Sequence, residues 1–150
     1  MVLIVEGDLL DAKTDFIGHQ CNCVTKTSLG LATEIFKKFP CANTYAKRKS
    51  PSEPGTILIS SMDFKQFIVN MYAQYKPGKN NDMEPRLKWF EMCLEQLAHR
   101  IGKDTMTLGL PYLIGCGLAG GNWDEYQTSI KKFENDHPNI QVTLYKKERR

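Results

Sequence analysis

Hydrophobic and polar positions fall into two rhythms along this chain. Val2 to Glu6 is an apolar run of strand length, and Phe16 to Val24 is a second one, separated from the first by Gly7-Asp8 and a polar turn. A spacing of three and four begins near Ser28 to Gly30. Leu31, Ile35 and Phe39, with Ala32 and Phe36 beside them, predict an amphipathic helix ended by Pro40. Cys41 to Lys49 predicts a shorter basic helix before the loop Ser50-Pro-Ser-Glu-Pro-Gly55. Thr56 to Ser60 and Gln66 to Tyr72, rich in β-branched and aromatic residues, predict two strands joined through Asp63 as a hairpin.

After the polar loop Lys76 to Asp82, Pro85 is placed for the first turn of a long helix, and Leu87, Phe90, Leu94, Leu97 and Ile101 give its apolar stripe. Thr105 to Leu110 predicts a strand. Trp123 to Glu134 predicts a helix with Trp123, Tyr126, Ile130 and Phe133 on one face, and Ile140 to Lys146 a last strand. This order, strands alternating with helices around one hairpin, predicts an α/β fold: a three-layer α/β/α sandwich with a mixed central sheet.

Length and composition narrow the class. A chain of 150 residues suits one domain, expected to span 1–150. A net charge of +3, with acidic and basic residues mixed, argues against a nucleic-acid surface; Lys146, Lys147, Arg149 and Arg150 read as a solvated basic end. No apolar run reaches membrane-spanning length, and Met1 to Glu6 lacks the basic start of a signal peptide, so a cytoplasmic protein is expected, possible also in a nucleus. Cysteines at 21, 23, 41, 93 and 116 form no framework spacing and predict free thiols. Cys21-Asn-Cys23 lacks the partners of a zinc site, and neither metal nor cofactor is expected.

The chemistry concentrates in Leu110-Pro-Tyr-Leu-Ile-Gly-Cys-Gly-Leu-Ala-Gly-Gly-Asn122-Trp123. Glycines at 115, 117, 120 and 121 allow backbone N–H groups to converge on an anion, and Asn122 with Glu125 predicts a capped helix start whose dipole would add to the site. Gly115, Gly117 and Gly120 satisfy G-x-G-x-x-G, but too little chain follows for a dinucleotide fold. A second loop, Cys23-Val-Thr-Lys-Thr-Ser-Leu-Gly30-Leu-Ala, precedes the first helix. Both loops on one sheet edge would suit the two phosphates of a diphosphate.

These residues resemble the macro domain family of ADP-ribose-binding modules over nearly the whole chain. The resemblance rests on Gly7-Asp8-Leu9, Asn22, Gly30, Ile114-Gly-Cys-Gly-Leu-Ala-Gly-Gly-Asn-Trp123 and Val142-Thr-Leu-Tyr145. It is strongest to the branch that holds the ADP-ribose 1″-phosphate phosphatases and the ADP-ribosylglutamate hydrolases. The resemblance implies that Asp8 accepts from the adenine amino group, Leu9 lies beside the base, Tyr145 lies near it, and Asn22 meets the distal ribose. It further implies binding by Ser28, Leu29, Gly30 and Leu31 and by Gly115, Cys116, Gly117, Leu118, Ala119 and Gly120.

The glutamate-linked hydrolases use a lysine and an aspartate. Here Ala119 stands in the aspartate's place, and Tyr75 or Lys76 near the lysine's. Asn70-Met-Tyr-Ala-Gln-Tyr75 is similar to the phosphatases, which implies hydrolysis of ADP-ribose 1″-phosphate with Asn22 orienting the ribose, Gln74 and Lys76 near the terminal phosphate, and Asp82 a candidate acid or base. A hydrolase of ADP-ribosylated protein or nucleic acid and a non-catalytic ADP-ribose reader are the alternatives. The expected partners are therefore ADP-ribose, its 1″-phosphate or ADP-ribosylated macromolecules, with no membrane, and the protein is expected to be a monomer. Cys116 has no arginine closing its loop, as a cysteine phosphatase requires, and reads as a small residue in a tight turn. His19 reads as a core histidine.

Overall fold

Alternation along one strand shows why both faces of the sheet are covered. Val69, Met71 and Ala73 belong to one apolar cluster, and Ile68 and Tyr72, on the opposite face, to a second. The computed structural model describes residues 1–79 and 83–147. Its strands are β1 (Leu3–Glu6), β2 (Phe16–Asn22), β3 (Ile57–Ser60), β4 (Phe67–Gln74), β5 (Met106–Pro111) and β6 (Ile140–Lys146), and its helices α1 (Leu31–Lys38), α2 (Met83–Ile101) and α3 (Trp123–Asp136). Short 3-10 turns cover Leu9–Asp11 and Pro40–Ala42.

The six strands form one sheet in the order β1-β6-β5-β2-β4-β3, in which only β3 runs antiparallel to its neighbour. The expected hairpin is present as β3 and β4. One apolar cluster joins Phe90, Leu94 and Leu97 of α2 and Tyr126, Ile130 and Phe133 of α3 to the sheet. The other joins Ala32, Ile35 and Phe36 of α1 to its opposite face. The fold is therefore the three-layer α/β/α sandwich that the alternation predicted.

The expected basic helix over 41–49 does not form. After the Pro40–Ala42 turn the chain takes an irregular path in which Ala42, Tyr45 and Arg48 are buried. Asn70 Nδ2 donates to the carbonyl of Ala42, Thr44 Oγ1 pairs with the hydroxyl of Tyr72 at 2.7 Å, and Arg48 Nη2 donates to the carbonyl of Asn22. These anchors to the sheet outweigh the weak helix propensity of Asn43, Thr44 and Tyr45. Asp82, Arg149 and Arg150 lie outside the described residues. Among the described residues, no helix is long and apolar enough to cross a membrane.

Candidate functional site

The sheet order creates an opening where connections leave in opposite directions. From β2 the chain departs toward β4 and β3, and from β5 it departs toward β6, so the carboxyl ends of β2 and β5 diverge. Ligands of open α/β sheets bind at such switch points. The register between β2 and β5 runs only through Phe16 with Leu108 and Ile17 with Gly109, against seven pairs between β2 and β4. Beyond Ile17 a cleft of about 700 Å³ opens, lined by residues that include Gln20, Asn22, Gly30, Tyr45, Gln74, Tyr112, Gly115 and Leu118. That volume suits a small-molecule ligand.

Asn22 shapes the first wall. Its Oδ1 accepts from the backbone N–H of Val24 and Thr25 and from the Thr25 hydroxyl, at 2.9 to 3.0 Å. Its own N–H donates to the Tyr45 hydroxyl at 2.7 Å. With Oδ1 committed, the pole of the amide left to meet a ligand is the donor Nδ2. The loop then reaches Gly30, whose φ of +60 and ψ of −134 suit glycine alone, and α1 begins with no side-chain cap. The uncapped first turn, Leu31 and Ala32, lines the cleft, which is the arrangement that favours an anion.

The second wall is the glycine loop. Cys116 N–H donates to the carbonyl of Leu113, Gly120 N–H to Gly117 and Gly121 N–H to Gly115, folding the loop on itself. Among the described residues, the N–H groups of Gly117, Leu118 and Ala119 have no hydrogen-bond acceptor. All three residues line the cleft. Gly115, at φ +78, leaves no room for a side chain: a Cβ there would come within 2.5 Å of the Tyr126 ring. The start of α3 does not join the site as expected. Asn122 Oδ1 caps it by accepting from Glu125 N–H, and α3 contributes nothing to the cleft lining. The helix end that faces the cleft is that of α1.

The floor is a chain of amides. Gln20 Nε2 donates to Gln74 Oε1 at 2.7 Å, and Gln74 Nε2 donates to the carbonyl of Lys76 at 3.0 Å. Arg86, a buried residue of α2, donates to the same carbonyl at 2.9 Å and to the carbonyl of Ala119 at 3.3 Å, tying the strand end to the glycine loop. Both poles of the Gln74 amide are therefore occupied. Lys76 is exposed and does not line the cleft.

The other expected residues are placed as follows. Leu29, Gly30 and Leu31 face Gly115, Gly117, Leu118 and Ala119 across the cleft, while Ser28, Cys116 and Gly120 lie in the same loops outside its lining. Ser28 Oγ pairs with Thr33 Oγ1 at 2.9 Å. Asp8 caps the turn after β1 through the N–H of Leu10 and lies 3.6 Å from Lys147 Nζ. Leu9 is buried in the α1-side cluster, with Tyr145 packed against it, and neither lines the cleft. The carbonyl of Tyr145 accepts from Tyr112 N–H, which connects that end to the cleft wall.

Two candidate nucleophiles or bases are silenced by burial. The Cys116 thiol is pushed up to about 11, chiefly by desolvation and then by Glu125. His19 is drawn down to about 4 by burial, against a hydrogen bond to Asn70. Because Asn70 Nδ2 is spent on Ala42, its Oδ1 faces His19, so Nε2 carries the proton. Gln20, Tyr45, Arg48 and Arg86 were not singled out by the sequence. For Gln20 in β2 and Arg86 in α2 the only signal was a polar residue inside an element with an apolar face, and for Tyr45 and Arg48, in the irregular segment after Ala42, there was none.

No protein-family model matches the chain. It is 22% identical over 158 residues to the ADP-ribose 1″-phosphate phosphatase of Candida albicans, covering 95% of this chain and 99% of that one. Among solved structures it is similar to the macrodomain of Mycobacterium tuberculosis DarG, with a TM-score of 0.76 at 17% identity over 97% of each chain. It is also similar to the Trypanosoma brucei macrodomain in complex with ADP-ribose, with a TM-score of 0.69 at 12% identity over 97% of this chain and 63% of that one. By the extent over which these structures match it, the chain has the fold of the macrodomains.

Proposed function

We propose that the protein binds ADP-ribose in the cleft between β2 and β5. The observation that carries this reading is the facing pair of backbone donors: the uncapped start of α1 and the N–H groups of Gly117, Leu118 and Ala119. Two such sets across one cleft fit the two phosphates of a diphosphate, since each supplies converging donors without a countercharge. In this pose adenine lies toward Asp8, Leu9 and Tyr145, and the distal ribose toward Asn22. Titration of the purified protein with ADP-ribose in a calorimeter tests it. Saturable binding that ADP matches only weakly is expected, and absence of binding would overturn it.

A finer reading is favoured by the Candida albicans relative, which matches almost end to end. On that reading the protein hydrolyses ADP-ribose 1″-phosphate to ADP-ribose and phosphate. Ala119 in place of an aspartate argues against the lysine and aspartate route to removing ADP-ribose from proteins. The raised thiol of Cys116 argues against a covalent cysteine, and both poles of Gln74 are committed to the floor. Lys76 remains the proposed charged group near the terminal phosphate and Asp82 a candidate acid or base, with Asn22 Nδ2 orienting the ribose. Phosphate release from ADP-ribose 1″-phosphate measures this activity. Normal ADP-ribose binding without phosphate release would leave a reader.

A further inference from the structure

Strand β1 closes one end of the sheet and pairs with β6 alone. Gly7 N–H donates to the carbonyl of Lys146 on β6 at 3.0 Å, so the backbone groups of Leu3, Val5 and Gly7, taken at two-residue steps, turn inward to β6. Those of Ile4 and Glu6 turn outward, and among the described residues they have no partner.

The side chains are as open as the backbone. Leu3, Ile4 and Val5 are 40%, 50% and 37% exposed. Ile4 lies beside Leu144 on the sheet face covered by α2 and α3, and Val5 beside Tyr145 on the face covered by α1, yet neither layer closes over β1. Apart from its shortness, the strand lacks the devices that blunt a sheet edge, a lysine, a proline or a bulge, and its one charge is Glu6 at the end.

We infer that β1 is a self-association surface, which pairs antiparallel with β1 of a second copy about a two-fold axis at Ile4. In an antiparallel pair opposite residues share a sheet face, and outward backbone groups meet outward ones. Centred on Ile4, the pair sets Ile4 of one copy against Ile4 of the other, exchanging both backbone bonds, and sets Leu3 against Val5 on the other face. The three exposed apolar residues then meet only one another, and Glu6 lies opposite Val2. Centred one residue earlier, the ladder would carry Val5 past the strand to Met1. One residue later it would set Ile4 against Glu6, and two later the Glu6 carboxylates against each other. One register survives, and it matches the strand to itself, which favours a second copy over a foreign strand. The two-fold closes the assembly at two copies. Five residues a side, Val2 to Glu6, against about 20–30 in a standard interface, make a weak dimer, so the monomer expected from the sequence gives way only in concentrated solution. Strands β6 and β5 stand between this edge and the cleft, which stays open in both copies.

Sedimentation velocity on the full chain, from about 1 μM to about 1 mM, reads the dimer directly, and a reversible shift toward it with concentration is expected. Ile4→Lys sets two like charges against each other at the axis and should raise the dissociation constant by roughly tenfold or more. Leu58→Lys, on the other edge strand β3, should leave it unchanged. Amide hydrogen exchange of the unsubstituted protein makes the test independent of how the variants fold. Ile4 N–H should exchange more slowly at the high concentration than at the low one, while Val5 N–H, turned toward β6, stays the same. A monomer at every concentration overturns the inference, as does a dimer that survives Ile4→Lys or leaves Ile4 N–H unprotected. A dimer lost in Leu58→Lys alone assigns the contact to β3 and overturns it as well. ADP-ribose enters none of these measurements, so the inference and the functional reading stand or fall separately.

Discussion

Leu118 reaches across the cleft to Gly30: a methyl group on Gly30 would stand 3.1 Å from Leu118 Cδ1. Two loops separated by more than eighty positions in sequence thus touch above the same cavity. Gly30→Ala would strain a backbone that only glycine adopts and press on this contact. A loss of about 1–3 kcal/mol in unfolding free energy is expected, together with weakened ADP-ribose binding, measured by urea denaturation and calorimetry.

Asn22 has two separable jobs. Asn22→Asp retains the Oδ1 acceptor for Val24 and Thr25 but replaces the donor Nδ2 with an anionic oxygen. Stability should hold while ADP-ribose affinity drops by roughly tenfold or more. Asn22→Ala should lose both, costing about 1–3 kcal/mol because the partly buried N–H groups of Val24 and Thr25 are left without their acceptor. Unchanged ADP-ribose affinity in Asn22→Asp would show that Asn22 holds the loop and nothing else.

Acid should destabilise the fold through His19. Its folded pKa of about 4 lies below the ordinary 6.5, so folding requires the neutral ring. The contribution is complete above pH 6.5 and is lost as pH falls toward 4, with a full span of roughly 3 kcal/mol. Denaturation midpoints at pH 7.5 and 4.5 should diverge in the unsubstituted protein and converge in His19→Gln, which cannot take up the charge.

Cys116 should be a sluggish thiol in the folded chain. With its thiol raised to about 11, alkylation by iodoacetamide at neutral pH should be slower than in urea by roughly one to two orders of magnitude. Peptide mass spectrometry reads each site separately. Fast native labelling of Cys116 would reopen the covalent mechanism.

What the sequence made legible was periodic. Ile140–Lys146 was expected at the observed bounds, and α1, α2 and α3 announced themselves through repeating apolar positions that the sheet faces then buried. Glycine spacing located both walls of the cleft. The floor was silent for a physical reason: Gln20, Gln74 and Arg86 matter through partners 54, 2 and 10 positions away, and nothing in a single polar residue encodes its partner. The segment 41–49 misled for the same reason, because Tyr45 and Arg48 are placed by Asn22, on a different element.

The short register between β2 and β5 gives the molecule a seam. Strands β1, β6 and β5 lie on one side of it and β2, β4 and β3 on the other, joined by two residue pairs at the end far from the cleft. At the near end, Arg86 bridges the strand end and the glycine loop. A ligand seated between the two walls would act as a cross-brace. Occupancy would then be felt as mechanical stiffness across both halves of the sheet, far beyond the side chains that touch it.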